Sequence, residues 1–110
     1  MPAYAIAQLN DVQLGPEIAD CLLRIDASLE PFGGRFLIHG AEPDVVEPGW
    51  TGHIVIIAFA DMASARGWYE SAAYQAILPL RTRNSISTAF LIDGTKDGYQ
   101  AKDLVAQLIA

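Results

Sequence analysis

Only one of the 110 residues is a cysteine, Cys21, which excludes an internal disulfide and fits a reducing compartment. Basic residues are scarce as well: seven Lys and Arg against thirteen Asp and Glu leave a net charge of -6, with no Lys/Arg run anywhere. Neither nucleic acid nor an anionic membrane surface is therefore an expected partner. The longest uncharged apolar run, Ile54 to Ala60, is far below the ~20 residues of a membrane span. The opening MPAYAIAQLND lacks a basic region, a signal-length hydrophobic core and a cleavage pattern, so a cytoplasmic protein is expected. Also missing are a GxSxG elbow, a Walker loop, a dinucleotide fingerprint and zinc-ligand spacing. Serine hydrolase, NTPase and NAD-dependent chemistry are turned away with them, and no cofactor or metal is expected.

What is present is apolar. Hydrophobic residues make up 52% of the chain and charged ones 18%, a rich apolar content for one small domain, so part of that surface is expected to meet a second subunit. AYAIAQL (3–9) alternates like a strand, with Tyr4, Ile6 and Gln8 on one face. Gly15-Pro16 opens a helix whose stripe runs Ile18, Leu22, Ile25, Leu29 and Phe32, ended by Pro31 and the Gly33-Gly34 turn. RFLIH (35–39) reads as a second strand, Phe36 and Ile38 one way, Arg35, Leu37 and His39 the other. A loop rich in Gly, Pro and acids follows, in which DVV (44–46) could add a short strand. HIVIIAF (53–59) is apolar throughout, as a central strand covered on both faces would be. Asp61 and Ser71 are N-cap residues for two short helices, the second kinked or ended by Pro79. SISTAFLID (85–93) is the last strand, and Leu104, Val105, Leu108 and Ile109 make one stripe of a terminal helix.

The order strand, helix, strand, strand, helix, strand predicts an α+β, ferredoxin-like βαββαβ sandwich: a four-stranded antiparallel sheet with helices on one face. A domain over 1–94 and a C-terminal helical extension over 95–110 follow. Because the strands are apolar on both faces, the uncovered face is expected to pack sheet to sheet in a homodimer. The terminal stripe is expected to cap its own barrel or the partner's.

The segments GGRFLIHG (33–40), Trp50, IVIIAF (54–59) and ARGWYESAAYQAILPLR (65–81) resemble, in that order, the small bacterial family known as the domain of unknown function DUF1330. The resemblance covers residues 3–93 and implies a dimeric α+β barrel without an established activity. Relatives within that superfamily include monooxygenases, isomerase-like enzymes and proteins with no known substrate, so fold analogy does not choose a reaction. The chain departs from the family pattern at His39-Gly40-Ala41, where RGG is usual, at His53, at Ala58, and at SAAY (71–74), where SPEY is usual. Replacing the acids by Ala58 and Ala73 removes two possible general acid/base groups.

Two groups of residues are candidates for chemistry. Trp68, Tyr69 and Tyr74 either pack on the sheet or line a ligand cleft with Arg81, whose guanidinium suits a carboxylate or enolate. By helical spacing Trp68 lies over Ala72, Tyr69 over Ala73, and Tyr74 two turns before Arg81. His39 and His53 would be cross-strand neighbours in the hairpin of the second and third strands, on the Arg35, Leu37, Val55 and Ile57 face. There they are either half-exposed polar residues or proton-transfer groups. Glu42, Asp44 and Glu47 lie near, but no HExxH or His-x-His spacing supports a metal. Arg35 reads as a dimer-edge ion pair and Cys21 as packing. Three functions compete: a cofactor-independent enzyme with His39, His53 and Arg81 as catalytic residues, a non-catalytic dimer binding a small apolar or anionic metabolite, and a structural scaffold.

Overall fold

Alanine alternates with larger residues along AYAIAQLN, and that stretch forms strand β1 (Ala3–Asn10) in the computed structural model, which describes residues 1–109. Pro16, whose fixed φ suits a first helical turn, starts α1 (Pro16–Leu29), and a 3-10 turn (Glu30–Phe32) ends on Gly33 in the left-handed region. Gly34 is required for a different reason: a Cβ there would stand 2.7 Å from both Leu29 Cδ2 and Phe59 Cε1. The chain continues through β2 (Arg35–His39), β3 (His53–Phe59), α2 (Met62–Glu70), α3 (Ala72–Thr82), β4 (Ile86–Asp93) and α4 (Lys102–Leu108). Residues 44–46 form no strand. Of the extension expected over 95–110, Ala110 lies outside the described residues.

The sheet order is β2-β3-β1-β4, antiparallel throughout, which is the ferredoxin-like α+β arrangement expected. Directly opposed residues share a face, so the register sorts every side chain. Ala3, Ala5, Ala7 and Leu9 stand opposite Phe59, Ile57, Val55 and His53 on one side and Asp93, Leu91, Ala89 and Ser87 on the other. This is the helix-facing side, and its buried members Ala3, Ala5, Ile57 and Phe59 join Leu29, Ala65, Trp68, Tyr74 and Ile77 in the core. Tyr4, Ile6, Ile54, Ile56, Phe90 and Ile92 share the other, outward side. Phe90 and Ile92 are 49% and 46% exposed.

In the helix layer, α1 packs on α3 while α2 sits over β1, β3 and β4. Asp61 caps α2 by accepting from the Ser64 N–H at 2.8 Å, and Ser71 caps α3 by accepting from the Tyr74 N–H at 3.2 Å. Pro79 does not end α3, which runs on to Thr82. Glu17 at the start of α1 accepts from Arg83 and Asn84 at the end of α3, and the Arg83 bond holds its carboxyl below the usual range. The terminal stripe is on the surface: Leu104 is 44% exposed and Leu108 75%, and α4 buries no residue on its own domain. No helix among the described residues is long and apolar enough to cross a membrane.

Candidate functional site

The side of the sheet that faces the helices is the side with the small residues. Along β1 the large side chains Tyr4 and Ile6 turn away, and Ala5 and Ala7 turn toward the helices, with Ala89 of β4 directly opposite Ala7. Three methyl groups cannot fill the gap that two packed layers leave, about 10 Å between element axes. A cavity of about 410 Å³ remains between sheet and helices, floored by Ala5, Ala7 and Ala89 and closed by α1 and by the aromatic segment of α2 and α3. Alternation of Ala with large residues in AYAIA is the signal for this floor, beyond the strand periodicity it also carries.

Trp68, Tyr69 and Tyr74 all border the cavity. Trp68 is also core: it is 3% exposed, its ring centroid lies 4.1 Å from that of Tyr74 and 5.5 Å from that of Phe59, and its indole N–H donates to Ser28 Oγ at 3.0 Å. The expected stacking over Ala72 and Ala73 does not occur, because Ser71 takes extended backbone dihedrals and breaks the helix between Glu70 and Ala72. The break folds α3 back so that Trp68, Tyr69 and Tyr74 meet as one aromatic cluster.

Arg81 lies two turns along α3 from Tyr74, as the spacing predicted. Its Nη1 donates to Ser87 Oγ at 2.6 Å and its Nη2 to the Tyr74 hydroxyl at 3.4 Å. Burial pushes the Tyr74 phenol above its ordinary pKa, against the smaller opposing pull of the Arg81 charge. Cys21, expected as packing, also borders the cavity, and burial raises its thiol too.

The histidines part company. A register shift between Phe36 and Ile38, a β-bulge that places Leu37 out of sequence, breaks strict alternation in β2. Phe36 and His39 consequently fall on the same side, stacked with centroids 4.1 Å apart and planes 4° apart, and Arg35 turns outward opposite Ala58. His39 is an exposed residue at the border of the cavity. It pairs with Val55, not His53; His53 instead stands opposite Leu9 of β1 and does not border the cavity. The cross-strand histidine pair is therefore not formed. Among the described residues no three His, Cys, Asp or Glu side chains gather as a metal-ligand set. The two alanines that replace family acids tell the same story: Ala58 faces outward opposite Tyr4 and Arg35, Ala73 is exposed, and neither borders the cavity.

Several solved structures share this architecture at low identity. A protein of unknown function from Rhodopseudomonas palustris is 16% identical with a TM-score of 0.61, the match covering 86% of this chain and 83% of that one. A dimeric ferredoxin-like protein of unknown function from Jannaschia sp. is 10% identical with a TM-score of 0.57, over 86% of this chain and 100% of the other. SnoaB, a cofactor-independent oxygenase from Streptomyces nogalater, is 11% identical with a TM-score of 0.57, over 90% and 98% of the two chains. At such identities the likeness is one of fold. No curated protein matches the sequence. The model of the domain of unknown function DUF1330 matches residues 2–95, nearly the whole of the sheet and helix layer just described, and the chain belongs to that family.

Proposed function

We propose that the protein is a homodimer in which each protomer takes a small, largely apolar molecule into the cavity between helices and sheet. The observation that carries this reading is the alanine floor: the helix-facing side of β1 and β4 leaves about 410 Å³ unfilled beneath an aromatic wall, within the size range of small-molecule sites. The dimer follows from the outward side of the sheet, where Phe90 and Ile92 are exposed beside the half-buried Ile6 and Ile56 in one apolar layer. The dimeric Jannaschia protein of the same fold supports it. A thermal-shift screen against small-molecule mixtures tests the cavity, because a ligand at 100 times its dissociation constant stabilises the fold by ~2.7 kcal/mol. An Ala89→Leu variant, with the floor filled, is expected to lose that response. A variant that responds as fully as the wild type would place the ligand elsewhere.

One observation favours a catalytic reading beside simple binding. His39, the aromatic hydroxyls and Arg81 border the same cavity, so an imidazole stands at the rim of a site that holds a guanidinium. On a carbonyl or phenolic ligand, His39 would take a proton from carbon or oxygen and Arg81 would stabilise the negative charge left behind. Such a scheme needs no resident cofactor, and SnoaB, a protein of similar fold, is a cofactor-independent oxygenase. The check is deuterium exchange, in D2O, at the carbon beside the carbonyl of a ligand found in the screen. His39→Gln should stop the exchange and leave binding in place; exchange by the wild type no faster than in the absence of protein would leave a binding protein alone, and exchange unchanged in His39→Gln would overturn the role of His39.

A further inference from the structure

We infer that the cavity selects an anion: its ligand is a small apolar molecule bearing one ionised oxygen acid, such as a carboxylate, which Arg81 pairs. This rests on the small-molecule reading above and adds the charge of the ligand. The chain is acidic, with thirteen Asp and Glu against seven Lys and Arg, yet none of the thirteen borders the cavity. The charged side chains that do border it are Arg66 and Arg81, and Arg66 is solvated and ion-paired with Glu70.

The seven cations divide cleanly. Arg24, Arg66 and Arg83 each meet a carboxylate, while Arg35, Lys96 and Lys102 are exposed, where water solvates their charge. Arg81 has neither remedy. It is half-buried beside an apolar cavity, and its partners among the described residues are the neutral hydroxyls of Ser87 and Tyr74. A partly desolvated charge without a counter-ion is costly, and the cost is recovered when an anion arrives. Two of the five guanidinium N–H groups are used by those hydroxyls, so a fork of donors remains for a carboxylate. The same two bonds, one from the sheet and one from α3 itself, hold the fork in place before a ligand enters. Tyr74, whose phenol burial raises further above its ordinary value, adds no competing negative charge.

The test uses two probes of matched shape, 2-naphthoate and the neutral 2-naphthamide, titrated calorimetrically into the intact protein. The wild type is expected to bind the carboxylate more tightly by about tenfold or more, the usual strength of a charge-assisted bond. Arg81→Gln should erase the preference and Arg81→Lys should retain part of it. Equal affinity for the two probes, both blocked by Ala89→Leu, would overturn charge selection and leave the cavity reading standing. A preference that survives in Arg81→Gln would overturn the role of Arg81. Failure of both probes to bind, or binding indifferent to Ala89→Leu, would count against the cavity reading and this inference together. If Arg81→Gln does not fold, the wild-type comparison of the two probes and the Arg81→Lys variant decide the matter.

Discussion

At the scale of the residue, Tyr74 joins stability and site in one side chain. It is 5% exposed, packs on Trp68, and shares a hydrogen bond with Arg81. Its phenol pKa is raised from 10.0 because burial disfavours the phenolate. The folded state therefore holds this proton more tightly than the unfolded chain, so the associated stability is present below the unfolded pKa and is lost as pH rises through the folded one. Thermal midpoints measured across the alkaline range should fall more steeply for the wild type than for Tyr74→Phe. Identical slopes would mean that the phenol is not what fails in base. The Tyr74–Arg81 pair was legible in the sequence as two helical turns, and it forms because α3 continues through Pro79 to Thr82. The His39–His53 pair is not legible, because a strand's faces depend on register and the bulge at Leu37 carries no Gly or Pro to announce it.

At the scale of the element, Ser71 governs how the aromatic segment folds. Its hydroxyl accepts from the Tyr74 N–H and donates to the Trp68 carbonyl at 2.7 Å, closing α2 and opening α3 with one atom. Ser71→Ala is expected to cost about 1 kcal/mol, the usual worth of an N-cap, read as a lower urea midpoint with an unchanged slope. A midpoint equal to wild type would mean that packing of the rings alone sets the break. Both caps could be read from sequence, since Asp61 and Ser71 precede helix-forming stretches. The direction α3 takes after Ser71 could not, because tertiary packing of Trp68 against Tyr74, and not local preference, decides it. Pro79 shows the complementary limit: the sequence allows it to kink or to end the helix, and α3 runs on for three residues to Thr82. The stripe of α4 was likewise visible as a pattern, though the pattern alone did not show that its own domain leaves it exposed.

At the scale of the whole molecule, the sheet separates two apolar surfaces that serve different ends. The helix-facing one is hollow and the outward one is continuous, from Tyr4 and Ile6 across to Phe90 and Ile92. If the outward surface joins two protomers, a charge at its exposed edge should part them. Phe90→Glu is expected to halve the solution mass seen in sedimentation, with the circular dichroism of the fold retained. A variant that keeps the wild-type mass would show that the sheet is not the interface. The fold class was legible because element order and two-sided hydrophobicity are properties of the sequence. Which side was hollow was less so, since that depends on the helices choosing the alanine face over the isoleucine face.

That choice has a consequence for how such a protein changes over generations. Ala5, Ala7 and Ala89 set the depth of the cavity, and each is one nucleotide change away from valine. Since neighbours along the strand point the opposite way, a bulkier residue at any of the three would shrink the chamber while leaving the outward surface untouched. Ligand size can thus drift in small heritable steps that the assembly between subunits does not register. A lineage could in this way explore new ligands without first having to rebuild its quaternary structure.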